Sequence, residues 1–86
     1  RQKYALLYLT DSDNEAELVF SDKALWVPIR PPIKFPLIPV SETKFILYGY
    51  RPEVTYEFEL DEMGNPIKYN AQQAETGVHI IAQRKK

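Results

Sequence analysis

Apolar and polar side chains alternate strictly over residues 54–60, and this alternation constrains the fold more than any other feature of the chain. Successive side chains of a β-strand point to opposite faces, so each set would share one face. The apolar set is Val54, Tyr56, Phe58 and Leu60, and the polar set is Thr55, Glu57 and Glu59. One buried and one solvated face is typical of an antiparallel sheet. We therefore predict that Tyr56 and Phe58 lie in the core and that Glu57 and Glu59 are exposed.

The same period of two runs through most of the chain. Strands are predicted near residues 3–10, 15–20, 24–29, 35–38, 43–49, 53–60, 66–70 and 77–84. About eight short strands, separated by regular turns, are typical of a sandwich or a closed barrel. We predict an all-β fold, a small antiparallel β-barrel or β-meander. Residues 71–75 have a helix-forming composition, but this stretch is too short for a helix that is stable alone.

Turn-forming residues and prolines mark where the predicted strands end. Ser21–Lys23 is short enough for a tight hairpin, and Asp61–Asn65 predicts a hairpin in which Gly64 has a positive φ. Most of the seven prolines cluster in one central segment. Because proline has no backbone N–H to donate, this segment is not expected to be a central strand. We predict a loop over residues 30–34 and a short edge strand over residues 35–38.

The size and charge of the chain limit the classes of protein to which it can belong. Its 86 residues are enough for one domain, and residues 1–86 are treated as a single unit. The formal net charge is −1 and there is no cysteine, which argues against a nucleic-acid-binding surface and excludes a disulfide framework. No apolar run approaches the ~18 residues of a membrane-spanning helix. Because the sequence opens at Arg1 without a methionine, we expect a domain excised from a longer protein.

Residues that carry most enzymatic chemistry are scarce. The single histidine, His79, alternates with Val78 and Ile80, which we expect to face the core, so His79 is expected to face water. No serine lies in a nucleophile elbow, and a transition-metal site would have to be built from carboxylates. We therefore predict no catalytic residue, no metal and no cofactor, and a domain that is not an enzyme.

Large apolar residues around the proline-rich segment form the first candidate binding surface. An apolar loop either caps one end of a barrel or stays exposed, and an exposed apolar patch marks an interaction site. The predicted interaction surface consists of Trp26, Ile29, Pro31, Pro32, Ile33 and Phe35. The alternative is an internal cavity for a small apolar molecule, since aromatic side chains line such cavities. Its predicted lining consists of Trp26, Tyr48 and Phe58.

Three stretches of the sequence carry a resemblance to a known family. They are Phe35–Phe45, with its proline, serine, threonine and phenylalanine run, Val54–Phe58, and Asp61–Ile67 with its glycine turn. In order and spacing they resemble the lipocalin-like domain of unknown function that lies C-terminal to the catalytic domain in bacterial β-lactamase-related serine hydrolases. The opening of the chain, Tyr4 to Tyr8, looks like the first strand of that domain.

The resemblance implies a lipocalin-like barrel that is exported with its enzyme, and hence a periplasmic or extracellular location. It implies no assigned activity of the domain itself. We therefore predict a non-catalytic accessory domain that packs on the catalytic domain of its own parent protein or on a second copy of itself. A small barrel that binds an apolar small molecule is the alternative prediction.

Overall fold

In a computed structural model, which describes residues 2–30 and 32–85, the chain forms one antiparallel sheet. The described residues form a short 3-10 helix, Gln2–Tyr4, and nine strands. The strands are β1 (Leu7–Thr10), β2 (Glu15–Glu17), β3 (Val19–Ser21), β4 (Ala24–Arg30), β5 (Ile33–Pro39), β6 (Lys44–Leu47), β7 (Val54–Leu60), β8 (Pro66–Gln73) and β9 (His79–Arg84). Their order in the sheet is β2-β1-β9-β8-β7-β6-β5-β4-β3.

The two edge strands, β2 and β3, are consecutive in the chain and are separated only by Leu18. The sheet therefore curls until its first and last strands approach each other, which gives a nearly closed barrel. This architecture confirms the predicted all-β fold and small antiparallel barrel. Within residues 2–30 and 32–85, no helix has the length and apolar character needed to cross a membrane.

The alternation in β7 places its side chains as predicted. Tyr56 and Phe58 are buried in the barrel, whereas Glu57 and Glu59 are exposed. Every neighbouring strand contributes its own inward-facing residues in the same way. The core consists of Tyr4, Tyr8, Leu18, Leu25, Val27, Leu37, Phe45, Leu47, Tyr56, Phe58, Tyr69, Ala71 and Ala82.

The predicted strand 15–20 is in fact two strands, because the chain changes its pairing partner at Leu18. Residues 15–17 pair with β1, and residues 19–21 pair with β4. Leu18 itself is buried, and its N–H donates to the carbonyl of Leu6 over 3.1 Å. One alternating stretch of sequence thus supplies both edges of the sheet.

The predicted strand 3–10 begins only at Leu7, because Gln2–Tyr4 form a 3-10 helix at one end of the barrel. The N–H of Ala5 donates to the carbonyl of Gln2 over 3.0 Å, as in one turn of such a helix. The Tyr4 side chain is 2% exposed, and its ring centroid lies 4.4 Å from that of Phe58. Burial of this ring in the end of the barrel favours the helical turn over a longer strand.

The predictions for the proline-rich segment are wrong. Residues 33–39 form one strand, β5, which pairs with both β4 and β6 and is therefore interior, whereas a loop over 30–34 and an edge strand over 35–38 were expected. Successive residues of a strand direct their backbone groups to opposite neighbours. The carbonyl of Pro36 accepts from the N–H of Tyr48, so the side of Pro36 that lacks an N–H faces the same segment, and regular pairing with β6 ends at Leu47.

The same register explains why Pro39 is tolerated at the other end of β5. Because Leu37 pairs with Leu25, Pro39 falls opposite the turn that precedes β4. Pro39 therefore removes no hydrogen bond from the ladder, whereas Pro36 removes one at the point where β6 ends. Proline content alone therefore does not define an edge strand; its position relative to the ends of the neighbouring strands does.

The last two strands also differ from the prediction. β8 continues to Gln73, so residues 71–73 are strand and not helix, because Ala71 pairs with β7 on one side and with β9 on the other. His79 is exposed, as predicted. Val78 and Ile80 were expected to face the core, but they are 48% and 38% exposed because they lie at an open end of the barrel.

Two tight turns confirm the predicted hairpins. Asp22 and Lys23 join β3 to β4 with φ angles of 52° and 63°, which is the conformation of a type I′ turn. Gly64 has a φ of 83° in the hairpin between β7 and β8. The carboxylate of Asp61 supports this hairpin by accepting from the N–H groups of Met63 and Asn65, each over 2.9 Å.

The connections between strands give the barrel one closed and one open end. The 3-10 helix and the β3–β4, β5–β6 and β7–β8 connections lie at one end, where the hydroxyl of Tyr4 donates to the carbonyl of Glu42 over 2.8 Å. The β1–β2, β4–β5, β6–β7 and β8–β9 connections lie at the other end. Tyr4 seals the first end, whereas side chains at the second end border open cavities.

Candidate functional sites: an outer apolar face and the open end

Strands β3 to β6 carry a row of apolar side chains on the outside of the barrel. Trp26 lies between the buried residues Leu25 and Val27, so its own side chain points outward. Val19 and Pro36 are its cross-strand partners on either side. Side chains that are directly opposite each other on neighbouring strands share a face.

The row continues into the segment that follows β6. Tyr48 is 66% exposed, and its N–H donates to the carbonyl of Pro36 over 2.9 Å. In the next row Ile38, which is 44% exposed, pairs with Ile46. We call this surface the outer apolar face. It consists of Val19, Trp26, Pro36, Ile38, Ile46 and Tyr48.

Two contacts hold Trp26 in place within the outer apolar face. Its indole N–H donates to the carbonyl of Ser21 over 2.9 Å. The ammonium of Lys34 lies 4.5 Å from the centroid of the indole ring, in a cation–π contact. Both contacts restrict the position of the ring, and Lys34 places a positive charge over it.

The outside of β7 to β9 has the opposite character. Glu57 and Asn70 pair across β7 and β8, and Thr55 lies on the same outer side of the barrel. His79 of β9 contacts Asn70, with 3.2 Å between Nε2 and Oδ1. The outer sides of β7 and β8 are therefore polar where β3 to β6 carry the outer apolar face.

The predicted interaction surface is divided by the structure. Trp26 points outward, whereas Phe35 points inward, where its ring centroid lies 5.4 Å from that of Tyr50. Ile29, Pro32 and Ile33 are exposed around the open end, and Pro31 lies outside the described residues. The five described residues therefore do not form one surface, and among them only Trp26 belongs to the outer apolar face.

The predicted cavity of Trp26, Tyr48 and Phe58 does not exist, because these side chains lie on different sides of the sheet. Phe58 is 3% exposed in the core, whereas Trp26 and Tyr48 are on the outside. The alternation within β4 and β6 already contained this information, because Leu25, Val27 and Leu47 are the more aliphatic members of their strands. The cross-strand register was needed to find that Pro36 and Ile38 lie on the same outer surface as Trp26 and Tyr48.

Two adjoining cavities open at the end of the barrel that Tyr4 does not seal. One has a volume of about 340 Å³ and reaches from Ala16 and Val27 to Tyr69. The other has a volume of about 190 Å³, and its walls include Ile29, Leu47, Tyr50, Val54 and Val78. Tyr56, Ala71 and Ile80 border both cavities.

The hydroxyls of Tyr56 and Tyr69 differ from those of the other core tyrosines. The hydroxyl of Tyr4 donates to Glu42 and that of Tyr8 to the carbonyl of Tyr4. Within residues 2–30 and 32–85, no hydrogen-bond partner contacts the hydroxyl of Tyr56 or Tyr69, and no fully buried side-chain oxygen lacks a partner. Both hydroxyls are therefore accessible from the cavities that these two residues line.

Burial keeps these phenols protonated. It raises the pKa of Tyr69 to about 12. Burial also raises the pKa of Tyr56, and the neighbouring hydroxyls of Tyr69 and Tyr50 raise it further. Each hydroxyl is thus a neutral hydrogen-bond donor throughout the physiological range.

The described part of the chain holds no group of three His, Asp or Glu side chains that is close enough to bind a metal ion. Comparison with protein-family models, with curated proteins and with solved structures found no match. The resemblance to the lipocalin-like domain of serine hydrolases and the absence of catalysis both stay predictions.

Proposed function

We propose that this chain is a non-catalytic accessory domain that acts by docking its outer apolar face against a partner. The partner is the catalytic domain of its own parent polypeptide, as the resemblance to the hydrolase-associated domain suggests, or a second copy of the chain. An exported, periplasmic or extracellular parent enzyme is part of the same proposal.

The continuous row through Trp26, Pro36 and Tyr48 carries this proposal. Side chains on the outside of a barrel do not stabilise its core, so large apolar groups there gain little from folding alone. Exposed apolar surface that is continuous over several strands marks interaction sites, whereas isolated exposed residues need no explanation. Tryptophan and tyrosine are also the residues that contribute most at the centres of interfaces.

The rigidity of the face favours binding. Pro36 has a fixed φ, and Trp26 is held by Ser21 and Lys34. Side chains that are already ordered lose less entropy when a partner covers them. Lys34 at the margin favours a partner that has acidic groups around its own apolar patch, because complementary charges at the rim orient the encounter.

Sedimentation velocity tests the proposal with the double variant Ile38→Ser/Tyr48→Ser. We expect the wild-type chain to associate with itself or with the separately expressed catalytic domain of its parent. The variant should weaken this association about tenfold or more, since it removes two apolar groups at the centre of the contact.

Leu9→Ser provides a matched control. Leu9 is 38% exposed on β1, outside the outer apolar face, so its replacement should leave the association unchanged. No association of the wild-type chain with either partner would refute the proposal. Equal weakening by the control and by the double variant would refute the assignment of the surface.

A further inference from the structure

The open end of the barrel offers a second binding site, which does not depend on the outer apolar face. Its two cavities adjoin along Tyr56, Ala71 and Ile80. The volumes of about 340 and 190 Å³ lie at the lower end of the range for small-molecule sites. A ligand of one or two fused rings fits such a space, whereas a long-chain lipid does not.

Tyr56 borders both cavities and carries a hydroxyl that no described protein group satisfies. Its side chain is 8% exposed, it borders both cavities, and its hydroxyl is accessible although no protein group accepts its proton. An accessible hydroxyl without a protein partner can donate to water or to a ligand, and a ligand with a well-placed acceptor atom takes the place of that water.

Gln73 and Tyr50 are the other polar residues that line the smaller cavity. The side-chain amide of Gln73 donates to the carbonyl of Pro52 over 3.2 Å and accepts from the hydroxyl of Thr76 over 3.0 Å. The remaining walls of this cavity, including Ile29, Val54 and Val78, are apolar. In the smaller cavity a charged ligand would lose its hydration without gaining a counter-charge, and the carboxylates of Glu15 and Glu17, which line the larger cavity, would repel an anion.

The geometry points to a site for a small, neutral, mainly apolar molecule that bears one hydrogen-bond acceptor, such as a ketone oxygen, bound at the open end with its acceptor on the hydroxyl of Tyr56. The apolar body of the ligand fills the space next to Ala71 and Ile80. The hydroxyl selects among apolar molecules for those with an acceptor.

Prodan, a neutral naphthalene dye with a ketone group, is a suitable probe, because its emission shifts to the blue in apolar surroundings. We expect saturable binding of prodan to the wild-type chain. Ile80→Trp should fill the mouth of both cavities and abolish binding. If this variant does not fold, Val78→Trp, which narrows the smaller cavity alone, should weaken binding. Ile38→Trp places the same ring on the outer apolar face, and binding should persist.

Displacement of prodan by two matched competitors tests the role of Tyr56. Acetylnaphthalene carries a ketone, and ethylnaphthalene lacks it. The preference for the ketone is the affinity of acetylnaphthalene divided by that of ethylnaphthalene. This ratio should be about fivefold larger in the wild-type chain than in Tyr56→Phe, which is the effect of one hydrogen bond. Tyr56→Phe should fold normally, because the hydroxyl bonds no protein group.

Three results would overturn the inference. The first is an absence of saturable binding to the wild-type chain. The second is binding that is unchanged in a folded Ile80→Trp or Val78→Trp variant, which would place the dye elsewhere, for example on the outer apolar face. The third is a preference for the ketone that is the same in the wild-type chain and in Tyr56→Phe, which would show that the hydroxyl does not contact the acceptor.

Discussion

The N–H of Tyr48 donates a 2.9 Å hydrogen bond to the carbonyl of Pro36, and this bond sets the two side chains next to each other on the outside of the barrel. Because Pro36 is also the cross-strand partner of Trp26, three large groups from three segments form one row. The proline has two roles here: it ends the pairing with β6 and it stiffens the centre of the proposed docking surface.

Because Phe58 lies in the core, we expect its truncation to lower the stability of the chain strongly. Its ring is surrounded by those of Tyr4, Phe45 and Tyr69, so Phe58→Ala should lower the free energy of unfolding by ~3–5 kcal/mol. Urea denaturation followed by circular dichroism measures this change. Glu59→Ala removes only an exposed ion pair with Lys68 and should change the free energy by less than ~1 kcal/mol. An unchanged midpoint for Phe58→Ala would contradict the assignment of the core.

The hairpin between β7 and β8 predicts a purely conformational effect at Gly64. The nearest atom to an added Cβ would be Nζ of Lys3 at 4.0 Å, so a side chain meets no obstacle, but the φ of 83° disfavours any β-branched residue. Gly64→Val should therefore destabilise by ~1 kcal/mol or more, and Gly64→Asn by less. The melting temperatures of the wild-type, Gly64→Val and Gly64→Asn proteins measure these differences. Equal stability of all three proteins would show that the turn does not require a positive φ.

The β3–β4 turn predicts a gain in stability. Asp22 and Lys23 both have positive φ, and the pair Asn-Gly is better suited to a type I′ turn. The double change Asp22→Asn/Lys23→Gly should raise the free energy of unfolding by ~0.5–1 kcal/mol. Glu62→Gly, at a position without positive φ, is the control and should destabilise. A loss of stability in the double variant would contradict the turn assignment.

The buried phenols predict a loss of stability at alkaline pH. An unfolded tyrosine has a pKa of about 10, and burial raises the pKa of Tyr69 in the folded chain to about 12. The folded state therefore holds its proton more tightly, so its stability is constant below pH ~10 and falls as the pH rises from there through the folded pKa. Urea unfolding at several alkaline pH values measures the slope, which should be smaller in Tyr69→Phe. A slope of the same size in that variant would contradict the prediction.

Local patterns in the sequence were enough to predict the strand interiors and the turns. The alternation over residues 54–60 and the glycine of Asp61–Asn65 each depend on contacts close in the chain, and both predictions are confirmed. The errors arise where pairing with a strand that is distant in the chain determines the structure. Leu18 ends one strand because its neighbours pair with β1 and β4, and β5 is interior because both of its neighbours end beside its prolines.

The same distinction applies to the candidate sites. Trp26 was named from the sequence in both the interaction surface and the alternative cavity, and its outward direction and its neighbours Pro36 and Tyr48 required the register between strands. Tyr56 was predicted as a core residue. Its hydroxyl is accessible because the 3-10 helix closes the opposite end of the barrel, which the sequence did not indicate. Single-strand periodicity contains no information on either point, because both depend on how the sheet curls.

Fluorine NMR tests the docking proposal most directly, because the single tryptophan of the chain, Trp26, lies within the outer apolar face. Fluorotryptophan incorporated into this chain gives one resonance from the proposed interface, and a soluble paramagnetic agent reports its exposure. We predict that association with the parent's catalytic domain or with a second copy shifts this resonance and protects it, and that Ile38→Ser/Tyr48→Ser reverses both effects. Association that leaves the resonance unshifted and fully accessible would contradict the account.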